Sequence, residues 1–234
     1  MKKTAKMLLM ATAFVLVLTG AVIYGERNKN SYKNDVAFDS YLANKDLRVL
    51  YHHYPFDKQY DIYGNGDRIR SLSELENQSE IIIKARLNPG FSRKIYEECV
   101  LSGIEVLKVY KGKLEVGNRL TLFEPVNCTE AKTAMYCSEG YSPMRPDKEY
   151  LLFLKPLKNS LFGKDDVVYI PSTVTYSKFA VTSPSVNQLS KRALEGSGTP
   201  YRYCKLKDQE VFLYDKKMYD LYILLKVGAL KRYQ

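Results

Sequence analysis

The apolar positions of this chain change their rhythm three times, and each rhythm predicts a different element. From Met7 to Tyr24 there is no charged residue, and the centre of the stretch reads LLMATAFVLVL. Lys2, Lys3 and Lys6 precede it, and Glu26 is the first acidic residue. A basic region followed by an apolar one is the pattern of a secretory signal or a membrane anchor. Eighteen uncharged residues exceed a usual signal core and just reach the length that spans a bilayer. Thr19-Gly20-Ala21 offers a cleavage point with small residues at both key positions, and no cysteine lies near it to make a lipoprotein box. Signal and anchor both remain open. Either one leaves the basic end inside and exports the body.

Residues 26–70 are polar and tyrosine-rich and are broken by Pro55, Gly64 and Gly66, which reads as an extended linker. Ser71 to Glu76 then predicts a short helix, with Ser71 as its cap and Glu74 three residues on. Strand patterns follow. Ile81-Ile82-Ile83 with Ala85 and Leu87 predicts a strand near 80–88. Ile104, Val106 and Val109 among charged residues predict a second near 100–110, and Leu120, Leu122 and Phe123 a third. Between these two, Lys111-Gly112-Lys113 and Gly117-Asn118 bracket a turn. Residues 124–148 form a long excursion with two cysteines and three prolines. Tyr150 to Leu154 is an unbroken apolar run, as a strand buried on both faces requires. Val167–Ile170 and Tyr176–Val181 supply a fifth strand with a bend at Pro171. A helix is expected over Ser185–Glu195, stopped by Gly196, and a longer one over Lys216–Leu230. Met218, Leu221, Tyr222, Leu225 and Ala229 give the longer helix a core-packing stripe.

Five short strands with few helices predict a mainly β (α+β) fold, a five-stranded OB-like Greek-key barrel. The organisation that follows is 1–25 leader, 26–70 linker, 71–182 barrel, and 183–234 a helical extension packed on the barrel. Closure of the barrel would remove the edges that such apolar strands otherwise expose.

The residues of the barrel carry a resemblance. Glu105-Val106-Leu107-Lys108-Val109-Tyr110-Lys111-Gly112 is followed by Val116-Gly117-Asn118-Arg119-Leu120. Then come Gly140-Tyr141-Ser142-Pro143-Met144 and Lys148-Glu149-Tyr150-Leu151-Leu152-Phe153-Leu154. This order resembles that of uncharacterised exported proteins of Gram-positive bacteria. More distantly it resembles the OB-fold of netrin-like and tissue metalloprotease inhibitor domains. The likeness spans about residues 70–182, and its motifs specify turns and a buried strand, so it implies fold and hardly function. Those inhibitors chelate zinc through an N-terminal cysteine, and no candidate mature N-terminus here begins with one. Their mechanism therefore does not carry over.

Cys99, Cys128, Cys137 and Cys204 make an even number in an exported chain, which predicts disulfides. Their spacing fits no compact zinc pattern. Cys128 with Cys137 closes a short loop at small entropic cost and leaves Cys99 for Cys204. A hairpin flanking Lys111–Gly117 would instead bring Cys99 to Cys128 and leave Cys137 for Cys204. Sequence alone does not choose between these pairings.

The formal charge is +10, and the three leader lysines leave the body +7. A basic exported domain is drawn to anionic wall polymers or lipid heads, while solubility alone also explains such a charge. Candidate chemistry is sparse. His52 and His53 are the only histidines, and Asp57 and Asp61 downstream have no ligand spacing. Asp61-Ile62-Tyr63-Gly64-Asn65-Gly66 fails as a calcium loop, because Tyr63 and Leu72 stand where ligands are needed. Glu97-Glu98 and Asp165-Asp166 are neighbours that do not converge in a strand. Gly196-Ser197-Gly198 reads as a turn rather than a phosphate cradle. Tyr201-Arg202-Tyr203 and Lys231-Arg232-Tyr233 are possible stacking platforms for single-stranded nucleic acid. An exported domain rarely meets that ligand.

The expectation is a non-catalytic extracytoplasmic binding domain at the cell surface, with no cofactor, no metal and no catalytic residue assigned. Its partner would be an anionic wall polymer, a lipid surface or a protein, with the membrane itself a partner through an uncleaved leader. The alternatives are an inhibitor or modulator of an extracellular enzyme such as a protease, and a hydrolase whose residues go unrecognised.

Overall fold

The computed structural model describes residues 37–53, 69–96, 99–129, 131–157, 167–182 and 186–234. The leader 1–25, Asp57, Asp61 to Gly66, Glu97-Glu98 and Asp165-Asp166 lie outside the described residues.

Five strands close on themselves. They are β2 (Ile81–Leu87), β4 (Cys99–Lys111), β5 (Arg119–Glu124), β8 (Glu149–Pro156) and β9 (Val168–Pro171). β2 pairs with β4, β4 with β5, β5 with β9, β9 with β8 and β8 with β2. All these pairs are antiparallel except β5 with β9, and the short β3 (Lys94–Tyr96) pairs antiparallel with the start of β4. The chain is thus mainly β, built on a closed five-stranded barrel with a few helices.

The unbroken apolar runs have a simple cause. Ile81, Ile83, Ala85 and Leu87 fill the barrel together with Ile104, Val106, Leu122, Leu152 and Leu154. Ile82, Leu151 and Phe153 point the other way, into a second and larger core. Both faces of β8 and of the start of β2 are covered, so neither stretch can alternate with polar residues, whereas Lys84 and Arg86 further along β2 turn toward solvent. The expected fifth strand is found along one edge of β8. There β10 (Lys178–Ala180) pairs with residues 150–152 and β9 with residues 154–156. The bend between them occupies Ser172–Ser177, just past Pro171. Phe153 bonds across it at both ends.

The second core lies between the barrel and a sheet that the sequence pattern did not reveal. Its strand order is β11 (Tyr201–Arg202), β1 (Arg48–His52), β7 (Ala134–Ser138), β6 (Val126–Cys128). Two of these strands lie in the cysteine-bearing excursion. β1 and α1 (Phe38–Leu42) fall in the segment 26–70 and correct its reading as a linker. Phe38, Leu47 and Val49 are fully buried, so residues 37–53 belong to the folded body. Their polar and tyrosine-rich composition hid this, because only alternate residues face inward.

Three helices complete the described body beside a short turn of helix at Tyr203–Leu206. α2 (Leu72–Gln78) starts as expected, with the Ser71 hydroxyl accepting from the Glu74 backbone N–H at 3.2 Å. α3 covers only Lys191–Leu194, not Ser185–Glu195. The backbone ahead of it is taken by the body, for the Leu189 N–H donates to the Leu213 carbonyl at 2.8 Å. α5 (Lys216–Tyr233), counting Tyr203–Leu206 as α4, lays Tyr222, Leu225 and Ala229 on the core, as the stripe predicts. No helix among the described residues is long and apolar enough to cross a membrane.

Candidate functional site

β1 and β7 run parallel, with Leu50 beside Tyr136 and His52 beside Ser138. Both strands therefore finish at the same end of the sheet. Alternation in β1 sends Val49 and Tyr51 inward and leaves Arg48 and His52 outward. In β7 it sends Met135 and Cys137 inward and turns Tyr136 out, where Asn127 of β6 lies opposite. His52, Asn127, Tyr136 and Ser138 line a cleft of about 500 Å³, counting the solvent at its mouth.

One residue beyond the strands, the arrangement changes from open to engaged. Glu139 stands at φ 44° and Gly140 at φ 75°. The turn is anchored by the Glu139 N–H, which donates to the His52 carbonyl at 2.8 Å, and by Thr175, whose hydroxyl donates to the Glu139 carbonyl at 3.1 Å. It sends the Glu139 carboxylate back to Tyr51, whose hydroxyl donates to it at 2.6 Å. Burial, then the carboxylate, pushes the Tyr51 phenol far above its usual range, so it stays a donor. His53 packs edge-on to Tyr51 and faces carboxylates on both sides. Its Nδ1 lies 3.6 Å from Glu139 and its Nε2 4.0 Å from Glu195, with the Tyr214 hydroxyl 3.3 Å from Nε2. The ring is 67 % exposed. Glu139 beneath it is held by the turn.

A second polar cluster is buried. Glu124, wholly inaccessible, accepts from the Ser102 hydroxyl at 2.5 Å, the Met144 N–H at 2.6 Å and the Tyr141 hydroxyl at 3.1 Å. Arg93 lies 3.7 Å from it, donates to the Met144 carbonyl and clamps Asp39 with two nitrogens. Glu210 accepts from Lys226 and from the Ala180 N–H. Lys178 is sandwiched by the rings of Tyr141 and Tyr150, each 4.9 Å from its amine, and burial lowers its ammonium from the usual range. The carboxylates here are matched by cations and hydrogen bonds, the arrangement that makes buried charge tolerable.

The candidate residues of the sequence separate accordingly. His52 and His53 are adjacent but serve different places, one in the cleft and the other above Glu139. The described residues hold no group of three or more side chains fit for a metal ion. The expected disulfides are not formed. Cys128, Cys137 and Cys204 are free thiols, and the Cys99 thiol donates to the Tyr96 carbonyl at 3.1 Å. In the β6–β7 pairing Cys128 stands opposite Met135 and Cys137 opposite Val126. The two thiols are diagonal neighbours, and such positions lie roughly 7–8 Å apart, beyond bridging reach. The Cys204 thiol is turned to the Lys45 carbonyl instead. Gly196-Ser197-Gly198 is a turn, closed onto the Arg192 carbonyl. Neither aromatic–basic triplet is a free platform. Tyr203 is buried, the Tyr201 hydroxyl accepts from the Ser190 N–H, and Arg202 pairs with Asp46. Arg232 and Tyr233 both bond Glu76. Asn127, Tyr136, Ser138, Glu139, Tyr214 and Glu195 were not legible as site residues. The only local signal was the Glu139-Gly140 pair ending an alternating run.

No protein-family model matches the chain, and no curated protein matches it.

Proposed function

We propose that this chain is a non-catalytic extracytoplasmic domain that binds a partner at the cell surface through the cleft between β1, β7 and β6. The cleft carries the reading. It gathers four polar side chains on the outer face of the sheet. The barrel behind it is filled with side chains and acts as scaffold. Its strand order, with β5 and β9 as the single parallel pair, supports an OB-type Greek key and a likeness in fold to netrin-like domains. The basic and apolar leader supports export, either anchored or released.

The test has two parts. Protease shaving of intact host cells should digest the body, and protection that disappears on lysis would overturn export. Cell-envelope material should retain the purified full chain and release Tyr136→Ala. Equal retention of both forms would remove the cleft from the function.

A further inference from the structure

The four groups of the cleft share a chemical property that narrows the ligand. Asn127 has an amide oxygen and an amide NH₂, Ser138 and Tyr136 have hydroxyls, and His52 has an imidazole. Each can both donate and accept. None of the four side chains makes a hydrogen bond within the described residues, in contrast to the engaged Tyr51–Glu139–His53 group beside them. Among the described residues, no Asp, Glu, Lys or Arg lines the cleft. A phosphate or carboxylate ligand would need fixed positive donors, and a cationic ligand fixed negative acceptors. Groups that donate and accept at once are matched by ligand groups that do the same, and the hydroxyls of a neutral molecule are such groups.

The shape points the same way. Tyr136 stands outward between Leu50 and Asn127, half-buried and lining the cleft. A half-exposed aromatic ring takes an apolar body while polar neighbours take its edges. A pyranose ring has this make-up, with C–H groups on its faces and hydroxyls around its rim.

We infer that the cleft of His52, Asn127, Tyr136 and Ser138 is a binding site for neutral carbohydrate, with one sugar ring stacked on Tyr136 and its hydroxyls bonded by Asn127, Ser138 and His52. This deepens the proposed function and rests on it. The basic charge of the body then serves general attraction to the cell surface, and the cleft makes the selection.

The experiment uses the full chain in a non-glycosidic detergent. Three probes are titrated while saturation-transfer NMR is recorded: an N-acetylglucosamine tetramer, maltotetraose and a glycerol-phosphate polymer. The expected result is transfer to at least one neutral oligosaccharide, insensitive to salt, with affinity lowered roughly tenfold or more by Tyr136→Ala, a typical loss for an aromatic platform. Tyr136→Phe keeps the stack and should retain most of the affinity. Asn127→Ala, at a half-exposed position, should weaken binding without changing the thermal midpoint, which keeps the test valid if Tyr136→Ala misfolds. Binding of the glycerol-phosphate polymer alone, lost with salt, would overturn the inference. So would an absence of transfer from both oligosaccharides at about 10 mM, weaker than any useful affinity. If the envelope still retains the chain in that case, the inference fails and the binding function stands. If the envelope does not retain it, both fail.

Discussion

The Tyr51 hydroxyl reaches Glu139 across 88 residues of chain and donates to its carboxylate at 2.6 Å. Glu139 is held at φ 44°, where a side chain other than glycine is strained. The bond therefore ties the inner face of β1 to a turn that the backbone would not otherwise favour. A hydrogen bond to a charged group contributes about 1.5–3 kcal/mol. Tyr51→Phe should lower unfolding stability by about that amount in a urea titration. His53→Ala should cost less than about 1 kcal/mol, because exposed ion pairs contribute little. Equal losses from the two would show that the exposed histidine, not the phenol, holds the turn.

Gly140 follows at φ 75°, and a Cβ there would stand 2.5 Å from the Phe212 carbonyl oxygen. That oxygen is backbone, and the adjacent Phe212 N–H donates to the Gly140 carbonyl at 2.8 Å. Neither can withdraw. Gly140→Ala should cost about 2–4 kcal/mol, combining left-handed backbone strain with overpacking. Gly117, also at positive φ, has open space around its Cβ position. Gly117→Ala should cost only about 1–2 kcal/mol, the backbone part alone. Thermal melts of the two variants side by side separate clash from strain.

Glu124 is the node of the buried cluster. Glu124→Ala takes from Ser102 and the Met144 N–H their acceptor and from Tyr141 and Arg93 one of their partners, and removing one partner of a buried charge network costs about 3–5 kcal/mol. A denaturant midpoint within experimental error of the parent would show that the cluster is solvated in solution.

Alkaline pH should unfold the protein early. Burial pushes the Cys128 thiol up from 9.0 to about 12, and the Tyr176 and Tyr203 phenols from 10.0 to about 12. Above pH 9 the unfolded chain releases protons that the native state keeps. Their contribution is therefore complete below pH 9 and is lost as pH rises to 12. Lys178 acts in the opposite sense, since burial lowers its ammonium, but it is one group against several. The guanidinium midpoint should be level from pH 7 to about 8.5 and then fall, with a shallower fall in Tyr176→Phe. A midpoint that rises between pH 9 and 11 would contradict the burial of these phenols.

Thiol chemistry gives an independent check, because the thiolate is the reactive form. Cys137 is raised well above the usual thiol range by burial and then by Cys128, Cys128 is raised by burial, and both are buried. In native protein at pH 8, iodoacetamide should modify Cys204 well before Cys128 or Cys137, as read by peptide mass spectrometry. In denaturant the difference should vanish. Early modification of Cys137 in native protein would mean that the β6–β7 hairpin opens.

The barrel was legible in the chain because its information is local. The run Ile81-Ile82-Ile83, the Gly112 and Gly117 turns and the stretch Tyr150–Leu154 each report their own burial, and two-sided burial leaves no polar position to confuse the pattern. The Ser71 cap and the α5 stripe are local in the same sense. The second sheet is different. β1 is five residues long, alternates weakly and pairs in parallel with β7, so no turn joins the partners and no neighbouring residue signals the match. Nothing in Tyr51-His52-His53 says that Glu139 will stand beside it, or that Asn127, Tyr136 and Ser138 will share a face with His52. Cysteine number likewise suggested bridges, while the register of β6 against β7 set the thiols apart by a diagonal. Local hydrophobic pattern determined the barrel. The cleft was decided only by tertiary structure, because long-range parallel pairing is chosen by what the whole core can bury.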